Sequence, residues 1–155
     1  MAVHVCSLIL NSPQSIPGDG AYHLIRFPYA GESADGHGMH QPDQPDGATS
    51  RFPDPRSGLI WPSTAGWGEV KALLYWAAGD YTEVRDRFVR DPLGIAGGAD
   101  STCTEDHRAT PGGQYRAKAW GVFVDPGTPL GVMVRHNGSS AVDVTHAQFK
   151  LAIFT

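Results

Sequence analysis

Cysteine is nearly absent: Cys6 and Cys103 are the only two in 155 residues, far apart and outside any CxxC spacing. That excludes a disulfide framework and leaves a cysteine zinc site or a thioredoxin-like motif without its residues. The two are read as free thiols, with a single bridge between them as the alternative. Charge is sparse too, at 18% Asp, Glu, Lys and Arg, and the 12 basic residues are scattered. With a net charge of -4 and a pI near 5.9, the chain lacks the basic stripe that displaces counterions from a phosphate backbone, so nucleic acid is excluded as the expected partner. No apolar run is long enough to cross a bilayer, which removes a membrane role. MAVHVCSLIL carries neither the basic segment nor the small-residue cleavage site of a secretory signal, which predicts synthesis in a cytoplasm without export. GxSxG, the phosphate-binding P-loop and the dinucleotide fingerprint are also missing, so neither catalysis nor a cofactor is expected.

Abundant instead are turn formers, with 19 glycines and 12 prolines spread along the whole chain. Long helices would be interrupted repeatedly, whereas many short strands joined by tight turns need such residues. The length suits one domain spanning 1–155, large enough to bury roughly 70% of the surface of its unfolded form. VHVCSLIL reads as a first strand, and residues 1–20 as either an outer strand or an arm that docks on another subunit. AYHLIRFPY follows, with Leu24 and Arg26 on one face and His23, Ile25 and Phe27 on the other. Residues 30–57 form a long polar loop. In GWGEVKALLYW, Val70, Ala72, Leu74 and Trp76 alternate with Glu69, Lys71, Leu73 and Tyr75, the signature of a half-buried strand with Trp76 in the core. YTEVRDRFVRD fits an exposed strand better than a short helix, and residues 92–113 read as a second long loop. QYRAKAWGVFV, PLGVMVRHN and AQFKLAIFT complete the chain as strands, the last two with Leu130, Val132, Val134, Phe149, Leu151 and Ile153 inward. DPGTP and HNGSS between them are turns, and Asn137-Gly138-Ser139 is read as a turn, not as a glycosylation acceptor.

Two places hold the atoms of a metal site. GHGMHQPDQPD offers His37, His40, Asp43 and Asp46; the second loop offers Asp100, Glu105, Asp106 and His107. Neither matches a known ligand spacing such as HExxH or DxDxDG, so a polar loop is preferred and a metal-dependent enzyme is kept as an alternative. Cys103 near His107 is likewise too local to read as a nucleophile with its base.

The order of these features resembles the jelly-roll family of complement-component and tumour-necrosis-factor-like domains, including phage virion proteins built on that fold. The similarity runs through AYHLIRFPY, the loop GHGMH, SGLIWPSTAGWGEVKALLYW, the arginine-bearing TEVRDRFVRD and YRAKAWGVFVDPGTPLGVMVRHNGSS to a terminal strand with Phe149. It implies an all-β fold, a single jelly-roll β-sandwich of antiparallel strands, assembled as a homotrimer. Trp67, Tyr75, Phe88, Trp120, Phe123 and Phe154 are the aromatic candidates for the contact, with Arg85 and Arg87 for ion pairs between protomers. His37, His40, Asp106 and His107 are candidates for a loop that meets a ligand or partner. The expected role is non-enzymatic: a capsid decoration protein of a bacteriophage virion, bridging copies of the major capsid protein or another virion protein. A tail-associated module that recognises a host glycan by stacking on Trp61, Trp67 and Tyr81 is the alternative.

Overall fold

The computed structural model describes residues 1–155. Strands β1 (Val3–Leu10), β2 (Gln14–Ile16), β3 (His23–Leu24), β4 (Gly66–Trp76), β5 (Glu83–Arg90), β6 (Asp100–Arg108), β7 (Gln114–Val124), β8 (Leu130–His136) and β9 (Val142–Phe154) are joined by turns and loops that include one 3-10 turn at Pro55–Gly58. They form two antiparallel sheets. The five-stranded sheet runs β1-β9-β4-β7, with β2 also paired to β9; the four-stranded sheet runs β3-β8-β5-β6.

The core follows from alternation. Side chains at every second position of a strand share one face, so two stacked sheets bury one apolar set from each. Val70, Ala72, Leu74 and Trp76 of β4, with Phe149, Leu151 and Ile153 of β9, meet Val84 and Phe88 of β5 and Val132 and Val134 of β8 in one continuous cluster. Each large side chain so buried contributes about 1.5–3 kcal/mol. The inward assignments for β4, β8 and β9 hold, and Trp76 is fully buried. In YTEVRDRFVRD, Glu83–Arg90 is a strand, though a central and half-buried one with Val84, Asp86, Phe88 and Val89 buried, not an exposed one.

Three other readings need correction. Residues 92–113 are not one loop: Asp100–Arg108 is β6, the edge of the four-stranded sheet, with most of its side chains exposed. An edge strand with little apolar surface has no periodicity to betray it. In AYHLIRFPY only His23–Leu24 pairs as a strand. Beyond it Ile25 donates to Val132 O, but Phe27 turns its amide to Ser57 O, and Leu24, Ile25 and Phe27 are all buried. The segment therefore packs on all sides instead of showing one face. Finally, residues 30–57 are not a solvated connection. Met39, His40, Gln44, Ser50 and Ser57 are buried there, held by side-chain oxygens that accept backbone amides: Asp35 takes Met39 N at 2.7 Å and His40 N at 3.0 Å, and Asp54 takes Ser57 N at 3.0 Å. Such bonds satisfy the amides of a chain that has left the sheets.

Candidate functional site

Strand pairing decides which residues share the outer face of the five-stranded sheet. At one end of that face the register runs Val3↔Phe154, Phe154↔Trp67 and Trp67↔Phe123, an apolar row across all four long strands. Trp67 is 45% exposed and Phe123 64%. Their rings meet edge-on, with centroids 5.5 Å apart and planes at 82°, an arrangement favoured by the ring quadrupoles. The indole can lie there because position 121 is glycine: a Cβ at Gly121 would fall 2.4 Å from Trp67 Cζ2. At the far end Tyr75 pairs with Tyr115, centroids 4.3 Å apart, beside Leu73 and Ala117. Between these ends Lys71 stands directly opposite Lys150, with Glu69 two residues along β4. None of these three has a carboxylate or cationic partner within the chain, although Lys150 donates to Ser7 Oγ at 2.7 Å. Like charges placed opposite each other destabilise a sheet unless something neutralises them.

A second, different surface lies at the open side of the sandwich, where edge strand β7 faces edge strand β6. Trp120 pairs with the inward Val70, so it points between the sheets, yet it is 47% exposed because no further strand covers it. Beside it Lys118 is buried. Its ammonium donates to Asp86 Oδ1 at 2.7 Å, to Asp86 O at 3.1 Å and to Cys103 O. Asp86 also receives His107 Nε2 at 3.0 Å. The β5–β6 register shifts at this point, between Asp86 and Phe88, and Cys103 adopts φ +53. The bulge turns the Cys103 carbonyl toward Lys118 and so ties the two edges together.

The sequence candidates therefore separate. Trp67, Tyr75, Phe123 and Phe154 share the outer face of one sheet, and Trp120 belongs to the open edge. Phe88 is not a surface residue: it is buried and stacks on Phe149 with centroids 6.1 Å apart. Arg85 and Arg87 lie on the outer face of the other sheet, away from the aromatic row. Trp61 and Tyr81 are buried, each with 4% of its surface exposed, and cannot stack on a sugar. Tyr115, Val3, Val5 and Gly121 escaped the sequence reading. A strict period of two along QYRAKAWGVFV would have grouped Tyr115 with Phe123 and set Trp120 on the opposite face.

The two histidine motifs are likewise resolved. His40 is buried, with Nδ1 2.9 Å from Glu32 Oε1 and Nε2 2.8 Å from Ser57 O, and its ring stacks on Tyr29 at 4.4 Å. Both nitrogens are engaged by oxygens of the chain itself, so neither is turned toward a metal position shared with His37. His37 is exposed and stacks on His4, centroids 3.8 Å apart. Asp46 is taken by Arg56 at 2.9 Å. In β6, His107 pairs with inward Val84 and Asp106 with outward Arg85, so this adjacent couple points to opposite faces. Burial raises the Cys103 thiol above its ordinary range, against the smaller pull of Lys118, so it is not an activated nucleophile. Cys6 is also free, its thiol raised by burial and by Asp35 and Glu32.

No family model and no curated protein matches the chain. Solved structures do. The globular domain of zebrafish complement 1qA protein superposes with a TM-score of 0.67 at 8% identity, covering 99% of this chain and 98% of that one. Eiger TNF from S. frugiperda gives a TM-score of 0.61 at 12% identity over 100% and 94%. Murine APRIL at pH 5.0 gives 0.61 at 8% identity over 99% and 100%. At such identities the likeness is one of fold: this chain is a jelly roll of the tumour-necrosis-factor and complement type.

Proposed function

We propose that the protein is a homotrimer that acts as a structural, non-enzymatic component of a bacteriophage virion, most specifically a capsid decoration protein. The observation that carries self-association is the exposed row Val3, Phe154, Trp67 and Phe123. Contiguous apolar surface of this kind marks an interaction site. The geometry favours a ring over a twofold dimer, because the exposed aromatics occupy two unlike surfaces, a sheet face and an open edge. A contact between unlike surfaces is heterologous, and it closes into a ring of three where each copy is turned a third of a circle from the last. The unpaired Glu69, Lys71 and Lys150 then find partners on a neighbouring copy, which fixes register more than it adds affinity. Decoration of a shell is supported by the resemblance to phage virion proteins of this fold. In that role a trimer seated on a threefold site adds buried area between subunits of the major capsid protein.

Sedimentation velocity tests the trimer: a species near three times the 16.6 kDa chain mass is expected at micromolar concentration, and a stable monomer refutes it. Cryo-EM of the native particle tests the location. Many copies on the shell support decoration, a few at the tail tip move the role to a tail module, and absence from the particle overturns the virion reading.

A further inference from the structure

On the outer face of the four-stranded sheet, opposite the aromatic row, three arginines cluster around Tyr22. The Arg87 guanidinium carbon lies 3.4 Å from the centroid of the Tyr22 ring, and that of Arg135 lies 5.8 Å from it. Arg135 also pairs directly with Arg85 across β5 and β8. The carboxylates nearby are Glu83 and Asp106, and both are disposed toward Arg85: Glu83 forms an ion pair with it, and Asp106 stands opposite it in β6. Arg87 reaches only the hydroxyl of Ser101, at 3.0 Å, and neither Arg87 nor Arg135 has an acidic partner. Five buried side-chain polar atoms in the protein lack a hydrogen-bond partner, and three of them sit in this one cluster: Tyr22 Oη, Arg87 Nε and Arg135 Nε. Buried donors are almost always satisfied, so a concentration of orphans beside two unneutralised cations marks a place where something is bound. Next to it a groove of about 370 Å³, lined in part by Tyr22, His23 and Met133, leaves room for the body of a ligand.

We propose that Tyr22, Arg87 and Arg135 form a binding site for an oxyanion group, a carboxylate, sulfate or phosphate carried on a small molecule or saccharide. Guanidinium forks present paired N–H donors at the spacing of two oxygens, and a phenol adds a third donor of the same polarity. An anion on the terminal N–H groups of these guanidiniums neutralises the repulsion between adjacent arginines. The ring of Tyr22 holds Arg87 flat, so the fork is already positioned before the ligand arrives. This inference does not rest on the trimer, whose proposed contact uses the outer face of the five-stranded sheet and the open β6–β7 edge.

The test is titration of the full ¹⁵N-labelled chain with sodium sulfate, inorganic phosphate and glucuronate, each at constant ionic strength. Saturable shifts at Tyr22 and its neighbours, with a dissociation constant below about 10 mM for at least one anion, are expected. Preference for sulfate or phosphate identifies a tetrahedral group, and preference for glucuronate a sugar acid. Arg87→Ala and Arg135→Ala should each weaken binding about tenfold. Arg87→Lys keeps the charge and the fold but loses the fork, and should weaken it measurably. Arg90→Ala, which removes the arginine paired with Asp100 farther along β5, should leave it unchanged. Shifts that never saturate, or that weaken equally in Arg90→Ala and Arg87→Lys, overturn the site, whatever the oligomeric state proves to be.

Discussion

Replacing Lys118 by methionine should destabilise the fold by about 3–5 kcal/mol, because it removes one partner from a buried ion pair and leaves the other charge in place. The side chains of Lys118 and Asp86 are 3% and 2% exposed and their charged atoms are 2.7 Å apart. Lys118→Met keeps an apolar stem but removes the ammonium that lies 5.3 Å from the Phe88 ring centroid, strands the Asp86 carboxylate with only His107 to share it, and takes the ammonium from the Cys103 carbonyl. A domain of this size has some 5–15 kcal/mol in hand, so the loss is a large fraction of the total. If stranding is the cause, removing the second charge must help. The double variant Lys118→Met, Asp86→Leu should recover at least about 2 kcal/mol over Lys118→Met alone. The assay is urea unfolding at one fixed protein concentration, since the proposed self-association would add to apparent stability. A Lys118→Met penalty below about 1 kcal/mol, or additive losses in the double variant, would refute the claim that this pair holds the open edge closed.

Asp91 gives a pH-dependent prediction. Its burial opposes ionisation, but the amides of Gly98, Ala96 and Ile95, at 2.8, 2.9 and 2.8 Å, outweigh that and hold its carboxyl below the usual range. A depressed carboxylate adds stability that is present above the unfolded value of about 4 and is lost as pH falls through the lower folded value. Asp91→Asn should therefore cost about 1–3 kcal/mol at pH 7, and the gap between urea midpoints should narrow at pH 3. His40→Ala should lower stability by about 2–4 kcal/mol by leaving Glu32 without its partner and a cavity where the ring stacks on Tyr29, while the Ser57 carbonyl keeps the Phe27 amide and zinc or EDTA leaves the unfolding temperature of the unaltered protein unchanged. Gly121→Ala should leave the strand intact but displace the Trp67 indole, weakening self-association about tenfold or more in a dilution series, with little change in the circular dichroism of the strands.

Where a strand is buried on one face only, its period is written in the chain. VKALLYW and LGVMV alternate because each successive side chain must choose between core and surface, and that choice was readable. β6 was not readable for the same reason reversed: DSTCTEDHR sits at an edge, with mostly exposed side chains, so no position was under pressure to be apolar. Of the candidate surface, the surplus of aromatic residues was legible and their placement was not. Aromatic residues in excess of one core's needs pointed to an interface, yet Phe88 and Trp67 look alike in sequence. Only the register shows that Phe88 faces Phe149 across the core while Trp67 faces solvent. His40 was read as part of a polar surface loop but is buried, because its partners, Glu32 and Ser57, lie on either side at distances no local motif records.

The same alternation limits where interaction chemistry can reside. Inward positions away from the open edge are committed to one continuous core and are not free to meet another molecule. Among the surfaces left are the outward positions of both sheets. On the five-stranded sheet these are apolar at the two ends and charged between; on the four-stranded sheet they carry arginines around one tyrosine. The two faces point in opposite directions across a sandwich about 10 Å thick, so a molecule seated on one does not obstruct the other. If the proposed trimer forms through the first, the second stays exposed once per copy, and the proposed anion sites would then bind a polyanion more tightly than any one of them binds a monovalent probe.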